Sequence, residues 1–257
     1  MRTRYSSDLT DAQWQAIEPL FRDQYFRKHD ARSMLNALFY VNKTGCQWRM
    51  LPQGEAGFPP SPTVYYHFRK WMRTGLLERI NDILRRIVRV KNKRAASPTV
   101  AIIDSQSVKT SHVGGPRSFD GGKKVNGRKR HIVVDTLGLL LAVLVHPAGL
   151  SDSAQAPHLL KRLVGKVPAL RVIFADEGYA GVPFSLVARC FGWVWQLVHK
   201  AEGQRGFAVL PKRWIVERTF AWFGGYRRLS KDYEYLPAVS EAMVQLSAIR
   251  MMIRRIA

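Results

Sequence analysis

The sequence is short of sulfur, of long apolar runs and above all of acid. Cys46 and Cys190 are its only cysteines among 257 residues. Two thiols cannot complete a zinc site alone or build a disulfide framework, so they read as reduced thiols. The longest apolar run, 137–145, falls far below the about 20 residues a membrane helix needs. Met1-Arg2-Thr3-Arg4 leads into polar residues rather than an apolar signal core. These absences lead to the expectation of a soluble, cytoplasmic, nucleoid-associated protein with no membrane partner. The shortage of acid is the informative one. Asp and Glu number 19 against 41 Lys and Arg, a net charge of +22. Such a field attracts polyanions and repels itself when none is present, and nucleic acid is the leading partner. The 46% apolar content is ordinary for a globular chain that buries a real core.

The first 95 residues read as helical. Thr10-Asp11-Ala12-Gln13 has the capping-box pattern, and Trp14, Ile17, Leu20 and Phe21 follow at helical spacing. A second helix is expected from Asp30 to Gly45, and a loop over the Pro- and Gly-rich residues 52–62. A third starts near Ser61-Pro62 and stops at Gly75, and a fourth runs from Leu76 to about Val90. Two helices around a tight Gly75 turn resemble a helix-turn-helix; an ordinary bundle with a basic face is an equal reading. Residues 95–98 form the expected boundary between a helical domain, 1–95, and a second domain, 96–257.

Beyond it the pattern turns to strands. Thr99 to Ile103 is an apolar β-branched run ending at Asp104. Residues 111–127, rich in Gly, Ser and Lys, read as a loop. Residues 130–136 and 139–146 read as strands, 154–164 as a helix, and 171–175 as a strand ending at Asp176. A helix over 182–191, a strand over 193–199 and a Gly-rich loop over 202–206 follow. Helices over 212–223 and 237–256 close the chain. The order β, β, β, α, β, α, β, α implies an antiparallel meander followed by parallel crossovers. The expected fold is therefore α/β, a ribonuclease-H-like mixed-sheet domain preceded by a small all-α domain.

In open α/β sheets function gathers at the carboxyl ends of strands, where Asp104 and Asp176 are expected. In a ribonuclease-H-like order their strands are neighbours. Two adjacent carboxylates repel, and a divalent cation with oxygen preference, Mg²⁺, resolves this. Glu217, on the helix over 212–223 and at i, i+4 from Arg213, is the candidate third ligand. Two such ions could activate an attacking oxygen and stabilise the leaving one in phosphodiester displacement, with Mn²⁺ as a substitute. Against this, an Asp at a strand end is most often a cap. Glu177 rivals Asp176; Asp135 and Asp152 rank below the trio.

Several segments together resemble the bacterial insertion-sequence transposases of the insertion-sequence-five family. Ile102-Ile103-Asp104-Ser105-Gln106-Ser107-Val108-Lys109-Thr110 is similar to the first-Asp motif. Gly127 to Thr136 resembles the basic segment entering the second strand. Ala175-Asp176-Glu177-Gly178-Tyr179-Ala180-Gly181 resembles the second-Asp motif, and Arg213-Trp214-Ile215-Val216-Glu217-Arg218 the Glu motif. Leu9 to Trp14 and Thr44 to Pro52 resemble the N-terminal helical region. The resemblance implies a DDE transposase with Asp104, Asp176 and Glu217 as Mg²⁺ ligands, strand cleavage at element ends and 3′-hydroxyl attack on target DNA. It also implies a homodimer or larger assembly on DNA. The Tyr and Lys that often flank the Glu motif are replaced by Leu210 and Gly224.

For DNA contact, Lys123, Lys124, Arg128, Lys129 and Arg130 form a candidate backbone clamp in a basic loop. Arg213, Arg227 and Arg228 are further candidates, and Lys231 a possible substitute for the missing Lys. Tyr65, Tyr66, His67, Arg69, Lys70 and Arg73 on the third helix are expected to meet the terminal inverted repeats. Trp214 and Trp222 could stack on a base, though core packing suits them better. His67 and His131 read as structural or phosphate-contacting. The last helix, with Met243, Leu246, Ile249, Met252 and Ile253, is expected to pack on the core or on another subunit. Two further functions remain open: a ribonuclease-H-like nuclease without strand joining, and a non-enzymatic helix-turn-helix regulator.

Overall fold

The computed structural model describes residues 5–26, 28–54, 57–180, 189–190, 192–198 and 212–256. The expected helix over 182–191 and loop over 202–206 lie almost wholly outside them. The chain divides into two compact units. No helix among the described residues is long and apolar enough to cross a membrane.

The first unit comprises Met1–Asn92, Phe223–Ser230 and Ala242–Ala257. Its helices are α1 (Asp11–Ile17), α2 (Ala31–Thr44), α3 (Ser61–Arg73) and α4 (Leu76–Lys91). Thr10 caps α1 in a reciprocal box with Gln13. Asp30 caps α2, accepting from the Ser33 amide at 2.8 Å. Gly45 ends α2 with φ of 72°, and a Cβ there would meet Arg227 at 3.0 Å. The last helix of the chain, α7 (Pro237–Ile256), supplies its later turns to this unit. Met243, Leu246, Ile249, Met252 and Ile253 are all buried there, so the last helix packs on the core of its own chain. Asn42, fully buried, donates to the Met243 carbonyl at 3.0 Å and accepts from Ser247 Oγ at 2.8 Å. Arg250 reaches Gln13 Oε1 and the Asp8 carbonyl. Phe21, Phe26, His67 and Trp71 form an aromatic group beside α3.

The second unit comprises Lys93–Trp222 and Lys231–Glu241. Its strands are β1 (Val100–Lys109), β2 (Ser118–Asp120), β3 (Val125–Asp135), β4 (Leu140–Pro147), β5 (Val172–Ala175) and β6 (Val194–Leu197). The sheet runs β2-β3-β1-β5-β6, with β4 also paired to β3. β1, β3 and β4 are antiparallel neighbours, while β5 pairs parallel to both β1 and β6. An antiparallel three-strand meander extended by two parallel strands from its first member is the ribonuclease-H-like order. Helices α5 (Asp152–Lys161) and α6 (Arg213–Gly224) follow among the described residues. Leu159, Leu160 and Leu163 share a buried cluster with Ala101, Ile103, Val133, Leu141 and Ile173. Ile132, Val133 and Val134 are all buried, as a strand covered on both faces requires.

Two expectations are corrected here. β1 does not stop at Asp104 but continues through polar Ser105 to Lys109, so Asp104 is mid-strand. The basic segment is not one loop. Lys123 and Lys124 occupy the β2–β3 turn, while Arg128, Lys129 and Arg130 lie within β3 and are buried.

Arg128 shows why. Its guanidinium donates to the carbonyls of Pro116, Glu234 and Tyr235 at 2.6–2.8 Å. It also stands 3.2 Å from Asp232, which accepts from Ser240 Oγ. Arg130 donates to the Lys231 carbonyl at 3.1 Å. These side chains tie β3 to residues 231–240 and are not available to phosphate. Arg128→Ala leaves Asp232 buried without its cation, and should lower stability by about 3–5 kcal/mol in urea unfolding. Lys124→Ala, on the exposed turn, should change it by less than about 0.5 kcal/mol.

Candidate active site

The parallel register of β1 and β5 sets the site. Ile102 pairs with Phe174, so two residues on, Asp104 and Asp176 stand side by side. Asp176 is also the cap of a single helical turn, Glu177–Tyr179. Its Oδ1 accepts from the Gly178 amide at 3.0 Å. Its Oδ2 faces away from that turn toward Arg213 at 3.4 Å. Capping and site-forming roles therefore fall on different oxygens of one carboxylate. Asp104 divides its oxygens likewise: Oδ1 accepts from the Ser105 amide at 2.7 Å, and Oδ2 lies 3.8 Å from Arg213.

α6 brings the third acid. Ile215, Val216, Thr219 and Phe223 are buried, and Thr219 Oγ1 donates to the Gly138 carbonyl at 3.1 Å. That anchoring turns Arg213 and Glu217 toward the strand residues. Arg213 Nη2 stands 3.6 Å from Glu217 Oε1. One guanidinium nitrogen is thus 3.4–3.8 Å from three carboxylates drawn from three elements. None of these distances is a close hydrogen bond. Arg213 Nε is buried with no hydrogen-bond partner among the described residues. The cation is loosely held.

Burial raises the Asp104 pKa to about 6, with Asp176 adding to the rise and Arg213 and Lys123 opposing it. Asp176 is raised by the same cause and lowered chiefly by Arg213. Lys123 reaches in from the β2–β3 turn, donating to the Ser105 carbonyl at 3.1 Å.

The donor set suits a hard divalent ion: three carboxylates and no thiol. As they stand, no three His, Cys, Asp or Glu side chains among the described residues could hold an ion. Arg213 occupies the point where they converge. Mg²⁺–oxygen distances of about 2.0–2.1 Å would require the carboxylates to close in and the guanidinium to withdraw.

The other candidates sort by exposure. Lys123, Lys124, Tyr65, Tyr66, Arg73 and Arg227 are exposed, and Arg69 and Lys70 half-buried. Tyr65, Arg69, Lys70, Arg73 and Arg227 belong to the first unit; Asp104, Asp176, Arg213, Glu217 and Lys123 belong to the second. His67 is corrected: it is buried against Phe26 and Trp71, and burial lowers its pKa. Arg228 is also buried, donating to the Cys46 carbonyl at 2.9 Å. Trp214 and Trp222 flank Arg218, whose guanidinium lies 4.5 Å from each ring. Asp135 ends β3 and accepts from the Leu137 and Leu139 amides of the following turn. Sequence reasoning undervalued Asp152. It is the first residue of α5 and is held by Ser105 and Lys129. The signal available was Ser151-Asp152 as a helix start.

A carboxyl whose folded pKa lies above its unfolded value retains a proton on folding. Its cost to stability therefore grows as pH rises from about 4 through about 6 and is complete above that. Asp104→Asn removes the cost. Without divalent ions it should be more stable than the parent by about 1–3 kcal/mol at pH 7 and equal to it near pH 4. Urea unfolding at the two pH values measures this.

Comparisons with known proteins agree with the geometry. Residues 95–252 match the family described as "Transposase DDE domain", and 9–81 match "Putative transposase of IS4/5 family". A curated relative from Burkholderia cepacia, "Putative transposase for insertion sequence element IS402", is 29% identical over 143 residues. The match spans 51% of this chain and 64% of that protein. A second from the same organism, "Insertion element IS402 uncharacterized 16.2 kDa protein", is 28% identical over 41% of this chain and 76% of its own length. A solved structure, "Mos1 transposase paired-end complex with left transposon end", covers 86% of this chain and 71% of its own. At 11% identity and a TM-score of 0.29, it bears no weight beside the strand order above. With most of the chain matched and its three acids gathered on a ribonuclease-H-like sheet, the chain belongs to the transposase DDE domain family.

Proposed function

We propose that the protein is a DNA transposase that binds the terminal inverted repeats of an insertion sequence, cleaves at the element ends and joins the 3′-hydroxyls to target DNA. The observation that carries this is the convergence of Asp104, Asp176 and Glu217 on Arg213 Nη2, at 3.4–3.8 Å. Carboxylates are poor neighbours for a polyanion. A basic chain that gathers three of them in one place has a use for a cation between them and the phosphate.

In this reading Asp104, Asp176 and Glu217 would hold two divalent ions, Mg²⁺ or in its place Mn²⁺. Bound there, the ions supply Lewis-acid activation of the attacking oxygen and stabilisation of the leaving one. Arg213, released from the acids, turns its guanidinium and its unpartnered Nε to a phosphate. Lys123 and Lys124, on the exposed turn, contact the backbone beside it. The helical domain recognises the repeat sequence through Tyr65, Arg69, Lys70 and Arg73 on α3, with Arg227 adding a phosphate contact. Processing two ends together calls for at least a homodimer on DNA.

The experiment is incubation of the full chain with a terminal-repeat duplex, target plasmid and Mg²⁺. Metal-dependent cleavage and joined product are expected. Cleavage without joining would turn the reading to a nuclease, and binding without any product to a regulator. Asp104→Asn, Asp176→Asn and Glu217→Gln should each lower cleavage by about 10³-fold or more, the scale of a lost metal contribution of several kcal/mol. Retained activity in all three would overturn the site assignment. Binding should fall linearly in log Kd against log salt, and Lys124→Ala should reduce that slope by roughly 1.

A further inference from the structure

Beneath the two aspartates lies a polar chain that no step above uses. Tyr179 ends the helical turn that Asp176 caps, and its side chain is fully buried. Its hydroxyl is 2.9 Å from His131 Nδ1. His131, on β3, is the register partner of Ser105 on β1. Its Nε2 faces Asp152 Oδ1 at 3.6 Å. Asp152 Oδ2 accepts from Ser105 Oγ at 3.0 Å, and the Ser105 amide donates to Asp104. The path therefore runs from the turn of Asp176 through Tyr179, His131, Asp152 and Ser105 to Asp104.

Resting on the site reading above, we propose that Asp152, His131 and Tyr179 are positioning residues that fix the separation of Asp104 and Asp176, and through it the metal affinity of the site. Hydrogen bonds join Tyr179 to His131 and Ser105 to Asp152, while His131 Nε2 and Asp152 Oδ1 face each other at 3.6 Å, a packing contact and not a hydrogen bond, so burial among neighbours holds that middle link. Burial, with His146 next, lowers the His131 pKa to about 3, so the ring is neutral and can donate from one nitrogen and accept at the other. Burial likewise raises the Tyr179 pKa well above its ordinary value, keeping the hydroxyl a donor.

Asp152 is not a further ligand in this arrangement. Both its oxygens are taken by the protein: Oδ2 by Ser105, and Oδ1 by Lys129 Nζ at 2.7 Å. Gly178 separates it from the site. A Cβ there would meet Asp176 Oδ1 at 3.1 Å and Asp152 Oδ2 at 3.5 Å. The two carboxylates thus flank one glycine, and only one of them faces Arg213.

The test is calorimetric titration of the full chain with Mn²⁺ alone, beside thermal unfolding of each variant without metal. Tyr179→Phe removes the one oxygen that meets His131 Nδ1, and Asp152→Asn keeps the shape while removing the charge. Each should weaken Mn²⁺ binding by about 10-fold or more, the effect usual for a group that orients a metal ligand. Asp104→Asn should abolish binding. If Tyr179→Phe binds Mn²⁺ as the parent does while Asp104→Asn loses it, the relay is overturned and the site reading stands. A loss confined to Asp152→Asn would make Asp152 a ligand and overturn the relay as well. If Asp104→Asn binds undiminished, the site reading falls and the relay with it. Should Asp152→Asn fail to fold, Tyr179→Phe decides alone.

Discussion

Parallel pairing of β1 with β5 holds two carboxylates side by side in a place that water reaches poorly. That constraint governs the second unit. Like charges at close range in a low-dielectric setting either take a proton or take a cation. The elevated pKa of Asp104 expresses the first response, and Arg213 supplies the second. The burial of one face of α6 aims Arg213 and Glu217 at the sheet, and the β2–β3 turn brings Lys123 to the Ser105 carbonyl. A divalent pair would answer the same electrostatic demand more completely. The arrangement seen without metal and the one proposed with it therefore obey a single rule.

Among the described residues the positive charge divides into two populations. Arg85, Arg89, Arg128, Lys129, Arg130, Arg228 and Arg250 are buried among the described residues. Arg128, Lys129, Arg130, Arg228 and Arg250 act as internal ties to backbone carbonyls, Arg128 to those of Pro116, Glu234 and Tyr235, while Arg85 pairs with Asp82. A guanidinium offers five donors in a fixed fork, enough to gather several strand and loop ends at once. The cations left for a polyanion are those on turns and helix faces, such as Lys124, Arg73 and Arg227. An estimate of DNA affinity from net charge would overstate the phosphate contacts by counting the ties.

Much of this architecture could be read from the chain. Local signals were reliable where the physics is local: the Thr10–Gln13 box, the Asp30 cap, Gly45 and Gly75, and the apolar run at 171–175. The nearness of Asp104 and Asp176 was legible because strand order makes their strands neighbours, and that of Glu217 because its helix also carries Arg213 one turn away. Two features were hidden by non-local partners. β1 seemed to stop at Asp104 because Ser105, Gln106 and Ser107 are polar, yet β3 pairs with them along its whole length. Arg128 and Arg130 read as part of an exposed phosphate clamp because charged residues usually are exposed. What buries them is the segment 231–240, about a hundred residues away in sequence. The Tyr179–His131–Asp152 chain was hidden for the same reason: its members come from three elements, and none stands out alone.

The looseness of Arg213 and the firmness of the groups beneath the aspartates are two halves of one design. If the two carboxylates could move apart, their repulsion would relax and nothing would drive a cation into the gap. β-Pairing, the Gly178 turn and the buried Tyr179 anchor all resist that movement. The repulsion is therefore retained as affinity for positive charge. The cation present meets no acid closer than 3.4 Å, so it neutralises without bonding closely. Under the proposed reading, acids kept from moving apart beside a weakly held guanidinium would exchange it for an ion that they can close in on. Such an exchange would free Arg213, with a phosphate as the next charge to satisfy. In the proposed reaction the same side chain would guard the acids before an ion arrives and hold the substrate afterwards.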